Sequence, residues 1–70
     1  SITANVKKAI DKKIIEFVKA DSAFVWSSTK EVICQVPRST GSSYLEGFTN
    51  FVLSNKNGQS IYEEIVKLLK

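Results

Sequence analysis

Seventy residues with ten Lys or Arg, seven Asp or Glu and no His carry a formal charge of +3 and a pI near 9.2. Hydrophobic residues at 43% and charged residues at 24% match a folded domain and exclude a disordered tail. One Cys and no His exclude an internal disulfide, a structural zinc site within one chain, and the Ser-His and Cys-His nucleophile pairs.

Residues 1–70 are expected to form one small domain, held without a covalent or metal staple. Chains of this size bury only about 60% of their unfolded surface, so packing alone or a second chain must stabilise it. The lone Cys34 points to a reducing, intracellular compartment. No apolar run approaches the ~20 residues of a membrane span, and no signal peptide is visible.

In the first segment, Ile2, Val6, Ala9, Ile10, Ile14, Phe17 and Val18 recur at spacings of three and four. This is the period of an amphipathic helix and predicts one from about Asn5 to Ala20. On that helix Lys8, Lys12 and Lys19 form a stripe opposite the apolar face, and Ile15 projects among them. Asp21-Ser22 interrupts the pattern. Three later Ser-x-x-Glu pairs have the form of capping boxes: Ser28 with Glu31, Ser43 with Glu46, and Ser60 with Glu63.

The first box predicts a short helix over Thr29 to Val36, stopped by Pro37. The same region is rich in strand-favouring residues, so a hairpin at 23–36 turning at Ser27 to Lys30 is the alternative and would make the fold α+β. An isolated two-stranded hairpin is marginal, which favours the helix. In the helical reading Cys34 lies away from Val32, Ile33 and Val36; in the hairpin it shares a face with Val32 and Val36. The other boxes open helices over Tyr44 to Ser54 and from Ser60 to the end, separated by the turn sequence Asn55-Lys56-Asn57-Gly58. The expected architecture is therefore all-α, a compact bundle of about four short helices.

Catalysis finds little support. The seven carboxylates lie mostly on helix faces among lysines, and no pair is spaced to raise one pKa. The segment from Gly41 to Thr49 departs from a phosphate loop, with one residue too many between Gly41 and Gly47 and Phe48 in place of the Lys. No enzyme activity, metal, cofactor or small-molecule substrate is expected.

The net charge is localised. Residues 1–20 hold five lysines against two acids, whereas residues 21–70 hold five bases and five acids. Two functions compete. The first is a non-catalytic binding module acting through protein–protein contact or self-association, supported by the small size and by Ile15, Leu53 and Trp26 outside the helical stripes. The second is DNA binding. The run from Val36 to Gly47 resembles the second half of repressor-type helix-turn-helix units, with Val36, Tyr44 and Leu45 at apolar positions. It departs from them at Glu31, Gln35 and Gly41, where those units place a small residue, the turn Gly and a core aliphatic. This resemblance implies contacts from Arg38, the loop 38–43, Asn50 and the first-helix lysines. Trp26-Ser27 followed by Tyr44 and Phe48 also loosely resembles the opening of sterile-alpha-motif domains, but too little chain follows for their five helices. Candidate interaction residues are Lys8, Lys12, Ile15, Lys19, Arg38, Ser39, Ser42, Asn50 and Leu53. The expected partner is a protein or a second copy, with nucleic acid as the alternative and no membrane.

Overall fold

A computed structural model of the chain describes residues 1–37 and 43–70. The elements run α1 (Ile2–Asp11), β1 (Ile15–Val18), β2 (Ala23–Trp26), β3 (Val32–Gln35), α2 (Tyr44–Ser54) and α3 (Gly58–Leu69). The fold is α+β, which corrects the all-α bundle.

The first correction falls at Asp11. Helix α1 opens on Ser1, whose hydroxyl accepts from the Ala4 amide. It closes with the Ile14 N–H donating to the Ala9 carbonyl at 2.9 Å and the Lys13 N–H to that of Ile10 at 3.1 Å. This 6→1 and 5→2 pair is a Schellman motif, and it places Lys13 in the left-handed region at φ 62°. The chain then leaves as β1. Ile15, Phe17 and Val18 are β-branched or aromatic, and pairing with β2 overrides the helical spacing that also fits them.

The second correction falls at residues 29–36. Strands β1, β2 and β3 form an antiparallel meander in chain order. Ile15 pairs with Trp26 and Phe17 with Phe24; Phe24 then pairs with Cys34, and Val25 with Val32. The strand-favouring runs set aside above are thus the β2–β3 hairpin, joined by a third strand that neither reading contained. Ser28 and Glu31 form no helix cap; the Glu31 amide instead donates to the Thr29 hydroxyl within the turn. Ile33 is an extra residue opposite the Phe24–Val25 step, a bulge that turns Val32 away from the face carrying Cys34.

One face of the sheet packs against all three helices. The core comprises Val6, Ala9, Ile15, Phe24, Cys34, Val36, Phe48, Val52 and Ile65, with Phe17, Trp26 and Phe51 packed against it. Rings step from Tyr44 through Phe17 and Phe24 to Phe48 and Phe51, with successive centroids 4.6 to 5.9 Å apart. Asn5 on α1 donates to the Tyr62 hydroxyl on α3 at 2.8 Å, tying the first helix to the last.

Helix α2 starts where expected, with the Ser43 hydroxyl accepting from the Glu46 amide at 3.1 Å. Helix α3 starts two residues before Ser60, so Ser60 lies within the helix and caps nothing. Gly58 opens α3 against α2: a Cβ there would collide with the Phe51 carbonyl oxygen and lie 2.8 Å from the Val52 Cα.

Candidate interaction surfaces

The lysine stripe of the expected long helix does not form. Lys8 remains exposed on α1 and Lys12 caps its C-terminus, but Lys19 lies in the β1–β2 turn beyond a strand. Ile15 is fully buried in the core, because as the first residue of β1 it faces the helices. It does not project among exposed lysines as the helical spacing predicts; it lies at the floor of the depression beside β1. Asn50 is exposed on α2, and Leu53 on the same helix is 68% exposed. Trp26 is half-buried against the core. Arg38, Ser39 and Ser42 lie outside the described residues.

The helix-turn-helix arrangement requires a helix ahead of residue 37. Strand β3 occupies that place, so α2 has no supporting helix of that kind.

The meander leaves two edges, and they differ in chemistry. Beside β1 lies a depression of about 290 Å³ lined by Ile10, Lys13, Glu16, Phe17, Lys19 and Tyr44. Lysines at a strand edge oppose pairing with another chain, because the added strand would have to accommodate a charge. Glu16 is ion-paired with Lys30 from the β2–β3 turn.

Strand β3 reads Val-Ile-Cys-Gln and carries no charge. The Val36 N–H donates inward to the Ser22 carbonyl at 2.8 Å. By the alternation of an extended strand, the N–H and C=O of Gln35 then face away from β2. Among the described residues no strand pairs with this edge. A groove of about 370 Å³ opens between β3 and the α2–α3 turn, lined by Ile33, Cys34, Phe51 and Ile61 and rimmed by Gln35, Asn55 and Asn57. Val32, on the opposite sheet face, is 62% exposed.

Burial pushes the Cys34 thiol up to about 11, so it stays protonated near neutrality and is a poor nucleophile. Among the described residues, no group of three His, Cys, Asp or Glu side chains is placed to hold a metal. No helix among them is long and apolar enough to cross a membrane.

The β3 edge, Tyr44 and Lys13 carried little signal in the sequence. Val32 and Cys34 read as one face of a regular strand, and only the bulge separates them. Tyr44 fitted the apolar arc of α2, yet it is 46% exposed. Comparison of the chain with protein families, curated proteins and solved structures found no match.

Proposed function

We propose that the domain is a non-catalytic binding module acting through protein contact, in which an extended partner segment adds a fourth strand to β3. The observation that carries this reading is the pairing of an uncharged open edge with a groove along it in which Ile33, Phe51 and Ile61 alternate with the amides of Gln35, Asn55 and Asn57. Main-chain hydrogen bonds to the outward groups of Gln35 would supply affinity, and alternate side chains of the segment would enter the groove beside Phe51 and Ile61. The lysine-flanked β1 edge disfavours the same mode.

The test is binding of hexapeptides with alternating apolar residues, followed by amide chemical shifts. Gln35→Pro removes an outward N–H without touching the inward bonds to β2, so it should abolish binding and leave the fold intact. Unchanged peptide affinity in a folded Gln35→Pro variant refutes the reading. Sedimentation of the protein alone identifies the other occupant of this edge: a doubled mass lost in Gln35→Pro assigns it to a second copy.

A further inference from the structure

We propose that α1 exchanges between two copies of the chain: the turn at residues 12–14 opens, α1 continues as one longer helix through Ile14, and its apolar face docks on α2 and α3 of the second copy. This exchange does not rest on the β3 reading.

Backbone strain is the first argument. Lys13 holds φ at 62°, a conformation that disfavours an L residue and is commonly filled by Gly at a helix end. Ser22 and Lys30 also lie at positive φ, but in hairpin turns that strand pairing on both sides closes. The turn at Lys13 has no such closure, and residues 12–14 alone join α1 to the sheet. A short strained hinge favours exchange, because both copies release the strain while the contacts of α1 are remade between chains.

The open form is the second. In the closed turn the Lys13 N–H donates to the Ile10 carbonyl and the Ile14 N–H to that of Ala9. A continued helix joins the same two donors to the same two acceptors in the other order, Lys13 to Ala9 and Ile14 to Ile10, so opening costs no hydrogen bond. Lys is a good helix former, and Ala9, Ile10, Ile14, Phe17 and Val18 keep helical spacing across the hinge. The chain therefore carries a helical signal at the point where the structure bends it. Straightening the turn removes the reversal that lays α1 on its own α2 and α3, so the helix finds those surfaces on another copy. The surfaces themselves are unchanged. Val6 and Ala9 return to a core, and Asn5 again donates to Tyr62, now between chains.

The experiment concentrates the protein to the millimolar range, warms it close to its thermal midpoint, cools it and separates the products by sedimentation velocity. The expected product is a dimer that returns to monomer slowly after dilution, because α1 must undock first. Lys13→Gly should weaken the dimer about a hundredfold, about tenfold from each hinge, whereas Lys13→Ala keeps the strain and should retain it. In Gln35→Pro the dimer should persist; its loss there assigns it to pairing through β3 and overturns the exchange. The position of α1 is read by mixing two chains in a Cys34→Ala background, one with Asn5→Cys and the other with Tyr62→Cys, and adding a short bismaleimide. Covalent heterodimers should form after warming and not before. Their absence overturns the proposal, as does protein that stays wholly monomeric after warming. If either cysteine variant does not fold, the two Lys13 variants decide, and equal dimer in both overturns the proposal.

Discussion

Replacing Lys13 by Gly should make the protein more stable. Lys13 occupies the C′ position of the Schellman motif at φ 62°, where an L side chain brings its Cβ close to the following carbonyl. That conformation costs about 1–2 kcal/mol, and Gly adopts it freely. Gly also gives the unfolded chain more freedom, which returns about 0.5–1 kcal/mol of the gain. The expected net stabilisation is about 0.5–1 kcal/mol, or a rise in thermal midpoint of about 3–6 °C for a domain of this length. Urea unfolding followed by circular dichroism measures the difference. Lys13→Ala is the control, because it deletes the same charge and keeps the left-handed strain. If Lys13→Gly is no more stable than Lys13→Ala, the account of how α1 ends is wrong.

Gly58→Ala should cost about 3 kcal/mol, because the new methyl group meets the backbone of α2 at Phe51 and Val52 and no side-chain rotation relieves it; calorimetry would show the midpoint fall. Ser43→Ala should cost about 1 kcal/mol through loss of the cap on α2, whereas Ser60→Ala should change stability by under about 0.5 kcal/mol; equal losses in urea titrations would contradict the cap assignments. Cys34 has a folded pKa of about 11 against an ordinary 9.0, so the unfolded chain loses its proton first. Its contribution to stability is full below about pH 9 and is lost as pH rises towards about 11. Cys34→Ala should therefore lose less stability than the parent between about pH 8 and about pH 10.5, and the native thiol should react slowly with a disulfide reagent near neutrality.

Helices α2 and α3 were legible because their apolar residues recur at one period and no strand competes for them. The Ser43 cap was legible for the same local reason. The end of α1 was not, since Ile10, Ile14 and Phe17 satisfy helical spacing while Ile14, Ile15, Phe17 and Val18 equally suit a strand. Pairing with β2 decides between the two, and that contact is absent from a local reading. The stop signal was also unusual, because Lys stands where Gly commonly marks a Schellman turn. Ser28 and Glu31 show the converse failure, a capping pattern whose residues serve a turn. The surfaces followed from these errors. Continuing α1 through β1 placed Ile15 among lysines, when strand alternation carries it into the core.

The sheet runs β1-β2-β3 in chain order, so every strand pair is a hairpin closed by four or five residues. Such loops close on the scale of tens to hundreds of nanoseconds, and hairpins follow within microseconds. The α2–α3 connection is equally short. Among the described residues, the docking of α1 on α2 and on α3, the latter marked by Asn5 and Tyr62, brings together parts of the chain separated by about half its length or more. The local hairpins should therefore form early, with the closure of α1 onto the C-terminal helices as the late step. Asn5→Ala should accordingly speed unfolding and leave the folding rate almost unchanged.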